Sequence, residues 1–329
     1  VPSGEAPHAM VDLPQATDGL SRPCLRPQAI PRAAAKAASQ GRDNVKRMML
    51  MGALALASAG VQAATGVALV HGTGKQTDAY NNYWQSDMVE GIRKGLADPN
   101  NLLVVNCDFD QYMWDDRAAG CLAGQLTSFI QNRNIDRLIV ITHSNGGNVM
   151  RWILSNPTYD SRYPAIIQRI VKVDAIAPSS AGTPLADAVI AGNVFESALG
   201  WLLGYKTDAV RQQQVGWMAT YNQQYLLGTS GRPALPVPFR DVVGTDVVSA
   251  VWSSQAYCGG YTQSVGLEIT QNWLSSCSDG FIECSSAQAA GTLWFKDTSR
   301  TSSGQVLNHN QSRRACFGLP SILANDLKG

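Results

Sequence analysis

The stretch Leu138-Ile-Val-Ile-Thr-His-Ser-Asn-Gly-Gly147 decides how this chain is read. Four apolar residues, three of them β-branched, form a buried strand (Leu138 to Ile141). Ser144 follows on a short turn, small residues come next, and Asn148-Val-Met-Arg-Trp-Ile-Leu154 has the pattern of an amphipathic helix. A strand, a sharp turn carrying serine and a helix place the hydroxyl above a sheet edge with a helix N-terminus beneath it. Unpaired backbone N–H groups and the positive end of the helix dipole then face any negative charge that develops there. The usual turn of this kind is G-x-S-x-G. Here Gly146 holds the last position and Thr142 replaces the first glycine. On this segment alone, an ordinary strand-to-helix turn with a capping serine competes with a nucleophile.

Outward from this stretch, the chain alternates continuous apolar strands with helices. Gly66-Val-Ala-Leu-Val-His-Gly-Thr-Gly74 is a strand that ends in a glycine-rich loop, and Leu102 to Asp108 is a second strand. Ala118 to Asn132 is a helix, the serine strand spans 138–142, Ile167 to Ala177 is a fourth strand and Val237 to Val248 a fifth. Strands apolar on both faces predict an α/β fold, a mostly parallel central sheet with helices on both faces. Residues 178–236 form an insertion before the fifth strand, with helical segments Leu185 to Leu203 and Val210 to Leu227. They are either covering helices or a helical cap, and their emergence beyond a strand's carboxyl end favours a cap or lid over Ser144.

The chain has 329 residues, 45% hydrophobic and 16% charged, which is enough for a substantial core, and its net charge of +1 gives no reason to expect nucleic acid as a partner. Residues 1–44 are rich in Pro, Ala, Gln and Arg and lack apolar periodicity. Lys46-Arg47, the apolar run from Met48 and the small-residue site Val61-Gln62-Ala63 predict a secretory signal peptide over 45–63, too short and alanine-rich for a comfortable membrane span. Residues 1–44 are then an upstream extension foreign to the native protein, with Val45 as the start, and 64–329 is the folded domain. Export takes away seven of 26 Lys/Arg and four of 25 Asp/Glu, leaving 19 against 21. Six cysteines remain in an exported chain, an even number that suggests disulfides. Neighbour pairing would join Cys107 to Cys121, Cys258 to Cys277 and Cys284 to Cys316.

A serine hydroxyl needs a base, and the base an orienting acid. Of four histidines, His8 precedes the signal, while His71 and His143 sit at strand ends. His309 is the only one after Ser144, which suits the order serine, acid, histidine. Asp279, on an Asp-Gly turn between the fifth strand and His309, is the best acid, with Asp246 the alternative and Asp174 ranked lower. Two backbone N–H groups must hold an oxyanion: Asn145 after the serine and Thr73 in the loop after the first strand. Gly74-Lys75 in that loop does not make a phosphate-binding P-loop, because Leu69 and Gln76 stand where the motif needs glycine and Ser/Thr. The aspartates 108, 110, 115 and 116 are a solvated loop rather than a cation site, and no His/Cys cluster suggests zinc or another cofactor.

His-Gly-Thr at 71–73, His-Ser-Asn-Gly-Gly at 143–147 with Arg151, Gly182-Thr-Pro with Ala186-Asp187, Ser278-Asp-Gly with Cys284-Ser-Ser, and Asn308-His309 together resemble secreted bacterial lipases and esterases of the α/β-hydrolase superfamily. The resemblance spans about residues 66–312. It implies the α/β-hydrolase fold, a Ser144–Asp279–His309 triad, an oxyanion hole of Thr73 and Asn145, and an ester or lipid substrate, with the cap able to touch a lipid interface. Calcium-binding lipases of this group carry an aspartate two positions after the catalytic histidine. Gln311 stands there instead, so no structural calcium is expected. A microbial polyester depolymerase uses the same triad, whereas a non-catalytic binding or chaperone relative would lack one of its members. Mass spectrometry of the exported protein should find an N-terminus downstream of residue 60. A mature N-terminus upstream of residue 60 would overturn the signal-peptide boundary.

Overall fold

The serine strand is buried on both sides. In the computed structural model it is β3, Arg137–His143, and its side chains alternate between two cores. Leu138 and Val140 join the cluster under the helices Cys121–Arg133, Gly146–Ser155 and Tyr163–Arg169, while Ile139 and Ile141 join the cluster under Ser86–Arg93 and Leu319–Lys328. This period-two division explains the unbroken apolar runs in the sequence. The structure describes residues 63–192, 206–247, 258, 260–296, 300–301, 305–315 and 317–328. The upstream extension, nearly all of the signal segment and part of the 178–236 insertion lie outside these residues.

Six strands form one sheet in the order β2-β1-β3-β4-β5-β6. They are β1 Thr65–Val70, β2 Leu102–Val104, β3, β4 Ile170–Ile176, β5 Phe239–Val242 and β6 Thr292–Phe295, and every neighbouring pair is parallel. The chain leaves β1 for β2 on one side and returns to place β3 on the other. Such a reversal opens a crevice at the carboxyl ends of the strands, where α/β sheets bind ligands. The loop after β1 and the turn after β3 both end in this crevice.

The structure corrects several sequence boundaries. Residues 167–169 close a helix rather than open the fourth strand, because Pro164 starts the helix Tyr163–Arg169 and β4 begins at Ile170. The fifth strand is confined to Phe239–Val242. At Gly244 a Cβ would stand 2.2 Å from the Leu307 carbonyl oxygen, so the chain there meets another loop. Strand β6 and the helix Tyr261–Gln271 were not foreseen. The segment Val210 to Leu227 is two helices, Asp208–Gln212 and Val215–Gln224, broken at Gln213-Gln214. The expected helix from Leu185 appears as Pro184–Ile190, capped by the Thr183 hydroxyl, and residues 193–205 lie outside the description.

Two disulfides among the described residues also revise the neighbour scheme. Cys107 is bonded to Cys121 as expected. Cys277 is bonded to Cys284, which overturns both the 258–277 and the 284–316 pairings. The Asp279-Gly280 turn reverses the chain, so the Cys284 N–H donates to the Cys277 carbonyl at 2.8 Å and the two side chains meet. Cys258 is also disulfide-bonded.

Asp241, in the middle of β5, is fully buried, and neither carboxylate oxygen has a hydrogen-bond partner among the described residues. Burial pushes its pKa up to about 8, against the opposing field of Arg151. Between the ordinary carboxyl range and about pH 8 the folded protein therefore binds a proton that the unfolded chain releases, and stability falls as pH rises through that window. Asp241→Asn should raise the unfolding free energy by at least about 1 kcal/mol at pH 9 and change it little at pH 4, as read by urea denaturation. Equal effects at both values would contradict a buried carboxyl held neutral.

Candidate active site

Ser144 sits directly after β3 with a backbone φ of +54°, one of four non-glycine residues with positive φ among those described. A left-handed conformation costs an ordinary L-residue roughly 1–2 kcal/mol. The surrounding close approaches impose it. A Cβ on Gly146 would fall 2.1 Å from the His71 carbonyl oxygen, and one on Gly72 would fall 2.8 Å from the Ser144 Cβ. The loop after β1 and the turn after β3 thus touch, and only glycine fits between them. Thr142 stands where the turn motif has its first glycine and is fully buried, and a Cβ on Gly147 would lie 3.0 Å from Pro178 Cβ and 3.4 Å, an ordinary contact, from Thr142 Oγ1. The helix Gly146–Ser155 then runs back from the turn.

The three residues expected to act together are adjacent. The Ser144 hydroxyl lies 3.1 Å from His309 Nε2, and His309 Nδ1 donates to Asp279 Oδ2 at 2.7 Å. The other Asp279 oxygen accepts the N–H groups of Phe281 and Ile282 at 2.9 and 2.6 Å. The backbone also binds the pair, since the His309 N–H donates to the Asp279 carbonyl at 2.9 Å. Asp279 lies inside the loop closed by the Cys277–Cys284 disulfide, which pins the turn that presents it. The alternative acids lie elsewhere. Asp246 accepts the Gln271 side-chain amide at 2.8 Å, and Asp174 is paired with Arg240.

Gln311, which replaces the expected aspartate, has a local task. Its Oε1 accepts the Asn308 N–H at 3.1 Å, while Asn308 Oδ1 accepts the N–H groups of Asn310 and Gln311 at 3.1 and 2.8 Å. This reciprocal pairing sits just ahead of the short helix Gln311–Arg313, and it fixes the loop that carries His309. Among the described residues no group of His, Cys, Asp and Glu is arranged to hold a metal ion.

Thr73 and Asn145, the expected oxyanion residues, lie on the two touching turns. Neither backbone N–H donates a hydrogen bond among the described residues. Their side chains are held by two glutamines that sequence analysis missed, Gln213 to Thr73 and Gln212 to Asn145. Those glutamines lie in the expected helical segment Val210 to Leu227, where no periodicity marks them.

His143 is a second missed participant. Its Nδ1 accepts the Tyr83 hydroxyl at 2.6 Å, and its Nε2–H faces the His309 carbonyl at 3.0 Å and Ser312 Oγ at 2.9 Å. It therefore links the residue before Ser144 to the backbone of His309. Burial, reinforced by the neighbouring His309 and Arg313, lowers its pKa well below the usual histidine value, so its ring is neutral. His71 is likewise buried, and its pKa falls to about 4. Its Nδ1–H donates to the Gly72 carbonyl at 2.8 Å, its Nε2 accepts the Cys107 N–H at 3.2 Å, and its ring stacks on Phe109 at 4.2 Å. It braces the loop that presents Thr73.

The fold is that of the α/β-hydrolases. The chain is similar to the mature form of a lipase from Bacillus licheniformis, with 20% identity, 80% of this chain and 89% of that chain covered, and a TM-score of 0.52. It is similar to lipase 1 from Pelosinus fermentans at 13% identity, 81% and 99% coverage and a TM-score of 0.53. A metagenomic carboxyl esterase matches at 15% identity, 80% and 74% coverage and a TM-score of 0.51. No protein-family profile and no curated protein matches the chain.

The two neutral histidines set a pH dependence. Below about pH 6.5 an unfolded chain protonates histidines that the fold keeps neutral. The folded state then binds fewer protons, and stability is lost as pH falls from 6.5 toward the folded value, about 4 for His71. This runs opposite to the contribution of Asp241, so it is read as a difference between variants. Between pH 7.5 and 5, wild-type protein should lose about 2 kcal/mol more unfolding free energy than His71→Gln. Parallel loss in both proteins would contradict a neutral, buried His71.

Proposed function

We propose that this chain is an exported serine hydrolase of carboxylic esters. The observation that carries the proposal is the hydrogen-bonded series from Ser144 Oγ through His309 to Asp279, placed on a positive-φ turn at the switch point of the sheet. Its support is the combination of a strained nucleophile position, a base within proton-transfer reach and an acid already saturated by backbone donors. A binding or chaperone relative without activity is disfavoured because no member of this series is missing.

In the proposed reaction His309 Nε2 takes the Ser144 proton as the hydroxyl oxygen attacks the ester carbonyl. The carbonyl oxygen gains negative charge and is received by the N–H groups of Thr73 and Asn145, at the head of the helix Gly146–Ser155. The imidazolium returns its proton to the departing alkoxide, leaving an acyl-serine. Water, deprotonated by the same nitrogen, then releases the carboxylic acid. Asp279 accepts from Nδ1 throughout, which fixes the tautomer that keeps Nε2 free to act as base. The chemistry needs no metal or cofactor.

The disulfides at Cys107–Cys121 and Cys277–Cys284 support an oxidising compartment outside the cytoplasm. Among the described residues no helix is long and apolar enough to cross a membrane. In the proposed arrangement the 178–236 insertion caps the crevice and meets the acyl part of the substrate or a lipid surface. Ser144→Ala should lower ester turnover by at least about 10⁴-fold and abolish stoichiometric labelling by an organophosphonate. Persistent labelling of that variant would overturn the assignment. Wild-type protein tested on short soluble esters, triacylglycerol emulsions and polyester films separates esterase, lipase and depolymerase activity.

A further inference from the structure

The helix Asp208–Gln212 ends in Gln212-Gln213-Gln214, and all three side chains are hydrogen-bonded. Gln212 and Gln213 are fully buried. Gln212 Nε2 donates to Asn145 Oδ1 at 3.1 Å, and its Oε1 accepts the Met113 N–H at 2.7 Å. Gln213 Nε2 donates to Thr73 Oγ1 at 3.0 Å and to the Ala209 carbonyl at 2.9 Å, and its Oε1 accepts the Ser179 hydroxyl at 2.9 Å. Asn145 and Thr73 belong to turns after different strands. Consecutive residues of the insertion therefore hold both turns by their side chains. A buried carboxamide is expensive unless its hydrogen bonds are made, and leucine would fill similar space without that demand.

On the ester-hydrolase reading above, we propose that Gln212 and Gln213 are positioning residues that fix the spacing of the two oxyanion donors, so that the hole is assembled jointly by the sheet and the insertion. Oxyanion donors must meet an oxygen at about 2.7–3.1 Å in its transition-state position. Freedom in the Thr73 or Asn145 turn weakens that contact while leaving ground-state binding unchanged. The loss then falls on kcat rather than KM.

The test uses full-length protein and a soluble p-nitrophenyl ester. Gln212→Leu and Gln213→Leu should each lower kcat on the order of tenfold, less than removal of a donor, with KM nearly unchanged. Organophosphonate labelling of Ser144 should stay stoichiometric but slow in proportion. Thr73→Ser keeps the hydroxyl that Gln213 binds, so its kcat should exceed that of Thr73→Val. Thr73→Val should fall as Gln213→Leu does, and the double variant should fall no further. Wild-type kcat in Gln213→Leu, a change confined to KM, or independent losses from Thr73→Val and Gln213→Leu would overturn the proposal. If the glutamine variants do not fold, the Thr73→Ser and Thr73→Val pair decides alone: equal kcat in the two overturns it. Wild-type protein that neither turns over the ester nor labels at Ser144 would instead overturn the ester-hydrolase reading itself.

Discussion

The close approach of two turns, after β1 and after β3, governs the remainder of the structure. The His71 carbonyl oxygen occupies the space a side chain at position 146 would need, so the chain after β3 can pass only as glycine. That contact forces Ser144 into its left-handed conformation and keeps the strand, hydroxyl and following helix in fixed relation. Strain of this kind persists only where neighbours over-determine it. Here they do: His71 is locked by Gly72, Cys107 and Phe109, and His143 is locked by Tyr83, Ser312 and the His309 backbone. The buried histidines therefore serve as neutral struts, because burial opposes their protonation more than their hydrogen bonds favour it.

The other half of the site is held by local rather than sheet-wide forces. Asp279 is fixed within a short disulfide loop, and His309 is fixed by the reciprocal Asn308–Gln311 hydrogen bonds. These loops meet through two hydrogen bonds, one between side chains and one between backbones. Gly244 lets β5's following segment pass between them, since a Cβ there would strike both the Leu307 carbonyl and the Asp279 Cβ. Charge placement is thus achieved with polar backbone contacts, while the sheet supplies rigidity through two apolar faces.

Much of this was legible in the sequence because it follows from patterns with one solution. Apolar runs on both faces dictate a parallel sheet. The small residues about Ser144 mark its turn, and a single histidine beyond it leaves little choice of partner. The unforeseen features depend on pairings across the fold. Thr142 departs from the turn motif, and only the fold shows that its side chain is accommodated in a fully buried position. The Cys277–Cys284 bond follows from a chain reversal at Asp279-Gly280, which neighbour counting ignores. Strand β6 is only four residues with a largely exposed pattern, too short for periodicity to reveal. Gln212 and Gln213 carry no compositional signal, because their meaning lies in the residues they reach.

Chain order adds a consequence for biogenesis. Ser144 belongs to the third strand, while His309 follows the sixth, just ahead of the helix Leu319–Lys328 that covers the β1 face. That helix meets Ser86–Arg93 so closely that a Cβ on Gly95, just past its end, would lie 2.4 Å from the Ala324 carbonyl oxygen. A chain cut before position 309 therefore lacks the residue proposed as the base of Ser144, and it also leaves a sheet face without its cover. In the proposed mechanism, one stretch of chain beyond β6 thus supplies both the proton acceptor and the cover of that face, so hydrolytic competence and closure of the sheet depend on the same segment.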